Sequence, residues 1–359
     1  MSERWRTVRI GLRRPLLAAH RGGQDRDSAD RELSLLRSSR NGCVGYGEDA
    51  FLPGYAGVSR AQARAAARDL AAWDLRARLD DEPLWRALGA ARAPAIELNA
   101  TIGAELADAA GSQAAAAVRA GFRTVKVKVG LGLEGDLARV GAVRAAVGPQ
   151  VAIRVDANGA WSVAQALDAL LALERFGIEL CEEPVHGVYG LAAVARDVRS
   201  IPIVADESAA EVLAAAGVRS TAVPESASAP GSAPARASAA GRGFAAELGD
   251  RVCDGVCLKV ARGGVTQLLA DAQLARARGY RVYVASTLDG PLGIAAALHA
   301  CAAIEPDRAC GLATLDRFDP PVPAALRPRE GVLRAPDGPG LGDGLLDWYD
   351  AASSAGDPM

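Results

Sequence analysis

A (β/α)8 barrel of the TIM type, with an α+β N-terminal capping domain completed by the C-terminal segment, is the fold this sequence predicts. Three observations carry the prediction. From about residue 95 onward, short β-branched runs alternate with Ala/Leu-rich stretches of helical period, the pattern of repeated βα units. The runs number eight, and eight parallel strands with helical crossovers close into a barrel. Polar residues recur at the run ends with the spacing of the repeat, 28 residues from Lys128 to Asp156, 26 from Asp156 to Glu182 and 24 from Glu182 to Asp206.

In order, the runs are Ile96 to Asn99, Thr124 to Val129, Val151 to Asp156, Ile178 to Glu182, Ile201 to Asp206, Gly255 to Lys259, Arg281 to Ser286 and a weaker one at Ala309 to Leu312. The interval from Asp206 to Lys259 is 53 residues, twice the repeat, and it contains the Ala/Ser/Pro/Gly-rich stretch 218–243. Such a composition buries too little to offset its ordering entropy, so a flexible surface insertion is expected there. The rhythm resumes with 27 residues from Lys259 to Ser286. Ahead of the barrel, Thr7 to Leu12, Glu32 to Ser38 and Val44 to Ala50 predict a small antiparallel sheet, with Arg21-Gly22-Gly23 in a loop, and Arg60 to Arg78 predicts a helix. The expected organisation is a cap over 1–93, a barrel over 94–324 and a C-terminal segment, 325–359, packing on the cap.

Composition narrows the function. Of 359 residues half are apolar, and 41 basic side chains nearly balance 43 acidic ones. A net charge of -2 supplies no concentrated basic face for nucleic acid. No apolar run approaches the roughly 20 residues that span a bilayer, and the charged start at Glu3, Arg4 and Arg6 is unlike a leader peptide. The reading is a cytoplasmic protein, monomer or homo-oligomer, acting on a small molecule, with no nucleic-acid or membrane partner. Six cysteines, at 43, 181, 253, 257, 301 and 310, lack the spacing of staples or of a complete metal site and read as buried thiols.

The chemistry lies at the run ends. In Val125-Lys126-Val127-Lys128-Val129, period-2 alternation puts the valines on one face and both lysines on the other. An exposed edge strand would leave these lysines in water. An internal barrel strand would turn them inward, where they need counter-charges. Asp156, Glu182 and Asp206 end the next three runs. Three carboxylates about 5 Å apart repel by about 3 kcal/mol per pair at an effective dielectric of roughly 20, so the cluster calls for a cation. One Glu and two Asp suit Mg2+, or Mn2+ in its place, better than zinc. Glu183 adjoins Glu182 and Glu207 adjoins Asp206, and strand phase does not choose within either pair. Lys259 ends the sixth run, across the mouth. Neighbouring cations lower a lysine's pKa towards that of a general base, and neighbouring carboxylates raise it. The seventh run continues as Ser286-Thr287-Leu288-Asp289-Gly290-Pro291-Leu292-Gly293 into an apolar helix. Hydroxyls and free N–H groups at a helix start can receive a substrate carboxylate, or serve as an N-cap and turn. Asn158, Ser286, Thr287 and Gly293 are the expected substrate contacts.

KxK, DAN, EEP, ADES and LK followed by GG, in that order, resemble the muconate-lactonising subgroup of the enolase superfamily, and the resemblance runs from about residue 30 to 320. The resemblance implies a divalent metal on Asp156, Glu182 and Asp206. Within the subgroup, Ser286 to His299 and Ala309-Cys310-Gly311-Leu312 look most like the o-succinylbenzoate synthases, which dehydrate a succinyl-hydroxycyclohexadiene carboxylate. It implies Lys128 as the base that also protonates the departing hydroxyl, Lys126 as its electrostatic aid and Lys259 as a cation on the opposite enolate face. The chain departs from the subgroup in the 218–243 stretch and in a cap that looks short between Tyr55 and Arg60. N-acylamino-acid racemases and dipeptide epimerases would use Lys128 and Lys259 as two bases. Epimerases resemble one another in an Asp-x-Asp at the eighth strand, where this chain has Cys310-Gly311-Leu312-Ala313-Thr314. Muconate cycloisomerisation and a non-catalytic barrel are the remaining alternatives.

Overall fold

The computed structural model describes residues 2–13, 30–103, 105–218 and 252–354. The Arg21-Gly22-Gly23 loop and nearly all of the 218–243 stretch lie outside the described residues.

The N-terminal strands β1 (Ser2–Gly11), β2 (Asp30–Arg40) and β3 (Cys43–Asp49) form an antiparallel sheet. Helix α1 (Arg60–Leu79) packs on it through an alanine-rich face. Its start is fixed by a capping box in which Ser59 and Gln62 satisfy each other's backbone N–H. Gly45 and Gly47 allow the close approach, since a Cβ at either would strike the α1 backbone. A short helix, α2 (Leu84–Ala87), leads out of this layer.

The barrel strands are β5 (Asn99–Ile102), β6 (Thr124–Lys128), β7 (Ala152–Asp156), β8 (Ile178–Glu182), β9 (Ile203–Ala205), β10 (Gly255–Leu258) and β11 (Arg281–Val284), hydrogen-bonded in sequence order, with every pair parallel. The eighth run is reduced to Cys310 and Gly311. Their single bridges to Leu98 and Ala285 join the first strand to the last and close the ring. Crossovers are α3 (Ala107–Arg119), α4 (Leu133–Val147), α5 (Val163–Leu173), α6 (Val188–Asp197), α7 (Ala209–Val218), α8 (Gly264–Ala277) and α9 (Pro291–Ile304). None of the described helices is long and apolar enough to cross a membrane.

The first run behaves differently from expectation. Instead of one strand over Ile96 to Asn99, β4 (Ala95–Glu97) pairs antiparallel with β12 (Val332–Arg334), and the barrel strand begins at Asn99. The C-terminal segment thus occupies hydrogen-bonding groups at the barrel's foot. Further along, Leu341 donates its N–H to Asp74 of α1 at 2.7 Å. The last helix, α10 (Asp347–Ser354), lies against the cap, with Arg6 and Asp350 paired at 2.7 Å.

Val125, Val127 and Val129 are fully buried under the helices, and Lys126 and Lys128, 8% and 6% exposed, are buried on the opposite face. These exposures exclude the solvated edge strand.

Candidate active site

Register does the first part of the assembly. Lys128 pairs with Asp156 across β6 and β7, and Asp156 with Glu182 across β7 and β8, so the three side chains leave adjacent strands at one height. Lys126 Nζ donates to Asp156 Oδ2 at 2.8 Å and to Glu182 Oε1 at 2.9 Å. Lys128 Nζ donates to the same Asp156 oxygen at 2.7 Å and to Asn158 Oδ1 at 2.8 Å. Lys259, just past β10, donates to Asp206 Oδ2 at 2.7 Å. Ligand atoms of Glu182 and Asp206 lie within 4.8 Å of each other and of the Cys257 sulfur.

The two ambiguous pairs separate by backbone conformation. Glu182 ends β8 and faces inward, whereas Glu183 has a φ of 39° and turns out of the strand. Its carboxylate accepts the Asp206 N–H at 2.8 Å and the Ser208 hydroxyl at 2.5 Å. Asp206 carries Lys259, while Glu207 accepts from Asn158 Nδ2 at 3.0 Å.

Several residues here carry no sequence signal of their own. Tyr55, in the cap stretch that looks short, donates to Asp206 Oδ1 at 2.8 Å, and its ring lies 4.2 Å from Lys259 Nζ. Arg262 donates to Asp206 Oδ1 at 2.9 Å and to Tyr55 Oη at 2.8 Å. Tyr283 donates to Glu182 Oε2 at 2.6 Å. Cys257 had a legible signal, since it stands two residues before Lys259 on the same strand face.

Burial alone would neutralise these groups, and the ion pairs oppose it. Burial pushes the Asp156 carboxyl up, but Lys126 and Lys128 overcome this and hold it far below the usual range. Asp206 is held down likewise by Lys259 and Arg262. Burial lowers Lys126 and Lys259, yet Asp156 with Glu182, and Asp206, raise them above an ordinary lysine. Among the protein's own charges, then, the carboxylates prevail over the mutual repulsion of the cations. Glu182 is raised by burial despite Lys126, and Glu207 is pushed up to about 8 by burial and then by the Asp206 charge.

The expected carboxylate site at the start of α9 is already in use. Gly290 N–H donates to Glu48 Oε1 of β3 at 2.7 Å, and Leu292 N–H donates to Tyr349 Oη of α10 at 2.9 Å. The Thr287 hydroxyl donates to Asp289 Oδ1 at 2.6 Å. Gly293 sits where a Cβ would press on Asp289 and Glu48, so its role is to admit the cap carboxylate. Ser286 Oγ is 2.8 Å from Thr314 Oγ1, pinning the seventh strand end to the segment after the eighth.

A parallel barrel with Lys-x-Lys on its second strand and acidic residues ending the next three also fits the profile of known proteins. Residues 109–218 and 238–346 match the family described as enolase C-terminal domain-like. The chain belongs to this enolase-superfamily family. Among curated relatives, a hydrophobic dipeptide epimerase of Enterococcus faecalis is 40% identical over 150 residues, 41% of this chain and 42% of that protein. An o-succinylbenzoate synthase of Thermobifida fusca is 37% identical over 250 residues, 66% of each chain. The matched stretch is therefore less than half of the first relative's length. The N-succinyl Arg/Lys racemase structure from Bacillus cereus superposes with a TM-score of 0.79 at 19% identity, covering 98% of this chain and 97% of that one, a likeness of fold. Asp156, Glu182 and Asp206 are buried and offer carboxylate oxygens, the donor chemistry that suits Mg2+, and of the three it is Glu182 and Asp206 that share, with Cys257, a cluster of ligand atoms within 4.8 Å of one another.

Proposed function

We propose that the chain is an o-succinylbenzoate synthase-like lyase, catalysing syn dehydration of 2-succinyl-6-hydroxy-2,4-cyclohexadiene-1-carboxylate through an enolate in menaquinone biosynthesis. The observation that carries this reading is the uncharged stretch after the closing strand. Leu312, Ala313 and Thr314 stand there, with the Thr314 hydroxyl bonded to Ser286. With no Asp-x-Asp there, the stretch offers no carboxylate to a substrate ammonium, which favours a substrate with carboxylate and carbonyl groups.

In this reading Lys128 Nζ, as the free amine, takes the proton alpha to the substrate carboxylate, and the C–H electron pair passes into the enolate. Collapse of the enolate expels the hydroxyl from the same face, and the proton on Lys128 leaves with it as water. Lys259 keeps its ammonium over the opposite face, paired with Asp206, which Arg262 and Tyr55 hold in place. Lys126 holds Asp156 and Glu182 in place and adds positive potential. Asp156, Glu182 and Asp206 would hold Mg2+ or Mn2+, which supplies a Lewis acid for the substrate carboxylate and the enolate charge. Asn158 keeps Lys128 aimed by accepting from it.

The rival is 1,1-proton transfer on an N-acylamino acid or a dipeptide, with Lys128 and Lys259 as opposed bases. Its support is the 40% identity to a dipeptide epimerase. Purified protein with Mg2+, assayed in parallel on the cyclohexadiene, on N-succinyl amino acids and on dipeptides, separates the two. Dehydration is expected to have the highest kcat/KM. If a racemase or epimerase substrate exceeds it, and Lys259→Ala abolishes deuterium uptake into one enantiomer only, the lyase reading is wrong.

A further inference from the structure

One residue beyond two of the mouth carboxylates lies a second group of ligand-capable side chains. Glu183 follows Glu182, Glu207 follows Asp206, and His186 stands on the loop between β8 and α6. One ligand atom from each of Glu183, His186 and Glu207 lies within 4.8 Å of the other two. His186 Nδ1 is 3.1 Å from Glu183 Oε1. Two ligands on one ion with bonds of about 2.1 Å are separated by about 3.0 Å in an octahedron and about 3.4 Å in a tetrahedron, so this spacing suits a shared cation.

An independent observation points the same way. Glu207 is more than nine-tenths buried, at 8% exposure, and its Oε2 has no hydrogen-bond partner, although Oε1 is held by Asn158. A buried carboxylate oxygen without a donor is costly and calls for an unseen partner. The imidazole packs against Gly159, where any side chain would collide with the ring. Its exposed side borders a groove of about 490 Å³ lined by Gly187, Tyr189 and Glu211 among others, which gives solvent or a small ligand access to an ion held there.

We propose that Glu183, His186 and Glu207 form a second divalent-metal site, outside the barrel mouth, that takes Zn2+ or a similar borderline ion. One imidazole nitrogen and two carboxylate oxygens are a zinc donor set, whereas Asp156, Glu182 and Asp206 offer carboxylate oxygens alone, the donors magnesium prefers, so the two adjacent ligand sets differ in donor chemistry. The ion clamps the end of β8 to the end of β9, the two backbones that carry Glu182 and Asp206. The assignment does not depend on which reaction the mouth performs.

The test is equilibrium dialysis of the full-length protein against Zn2+ in a large excess of Mg2+, with bound zinc counted by elemental analysis. Wild type is expected to retain one Zn2+ per chain. Loss of a second-sphere partner typically weakens a metal 10–100-fold, so His186→Ala, which removes a ligand, should weaken it at least about tenfold. Glu207→Gln should weaken it too, and Asp156→Asn should leave it bound. Co2+ in place of Zn2+ should give visible absorption that His186→Ala changes. Zinc retained equally by His186→Ala, or lost in Asp156→Asn, would assign the ion to the mouth and overturn the proposal. Wild type retaining none would overturn it as well, leaving an ordinary His–Glu ion pair.

Discussion

Two pairs of buried carboxylates in this molecule, Asp156 with Asp206 and Glu48 with Asp289, respond to burial in opposite ways. At the barrel mouth, Asp156 and Asp206 face lysine ammoniums at 2.7 to 2.8 Å and stay ionised. At the junction of cap, barrel and C-terminal helix, Glu48 and Asp289 are as deeply buried but meet mostly neutral donors. Glu48 takes the Gly290 N–H and the Tyr349 hydroxyl, and Asp289 takes Thr287. Arg31, the nearby cation, spends its own donors on the carbonyls of Glu32, Ala50, Phe51, Thr287 and Leu288. Burial, followed by the Asp289 charge, pushes Glu48 up to about 7, and burial raises Asp289. The lesson is that depth does not set a carboxylate's charge; the partner does. Two cations on one carboxylate, Lys126 and Lys128 on Asp156 or Lys259 and Arg262 on Asp206, outweigh desolvation, whereas the shared Lys126 on Glu182 and a helix start with a phenol on Glu48 do not.

The sharpest way to break this comparison is Lys128→Ala. It removes one of the two lysine amino groups on Asp156 along with the proposed base, and turnover should fall by about 10²- to 10⁴-fold. Steady-state kinetics on the Mg2+-loaded enzyme measures this, with circular dichroism to confirm folding. Retention of more than a tenth of the wild-type rate would remove Lys128 from the role of base.

Next comes pH. Glu48 has a folded pKa of about 7, above its ordinary 4.5, so the native state holds its proton more tightly than the unfolded chain does. That contribution to stability is fully present below about pH 4.5 and is lost as pH rises through 7, amounting to at most about 3 kcal/mol. Asp156 and Asp206, with depressed pKa values, have the opposite sign: their contribution is present above the usual carboxylate range and is lost as pH falls. Urea denaturation between pH 5 and 8, wild type against Glu48→Gln, reads the difference. The variant should lose part of the decline towards high pH, and an unchanged slope would show that Glu48 is ionised throughout.

The smallest effect belongs to the seam between the seventh and eighth strands. Ser286→Ala breaks a half-exposed hydroxyl pair with Thr314, and stability should fall by about 1 kcal/mol. A thermal melt checks it. A much larger drop would mean that this seam, and not the bridges at Cys310 and Gly311, closes the barrel.

Residues whose positions follow from strand period are legible in the sequence. Lys126 and Lys128 share a face because they are two apart, and the 24- to 28-residue spacing brings Asp156, Glu182 and Asp206 to successive strand ends. A repeating fold converts such local rules directly into a site, because each βα unit delivers its last residue to the same rim. Tyr55, by contrast, reaches Asp206 across 151 positions of sequence, and Glu48 reaches the start of α9 across 242. The helix start at Gly290 reads as an anion site in either case. Which anion fills it depends on how the cap docks, and docking is decided by the close approach that glycines 45, 47, 290 and 293 permit. The barrel's first strand was displaced for a similar reason, since β12 claimed the groups of β4. Periodicity and hydrophobic pattern are properties of neighbouring residues and can be read along a chain. The choice of partner for a buried charge, or for a free strand edge, is a competition among distant segments, and it is settled when they pack.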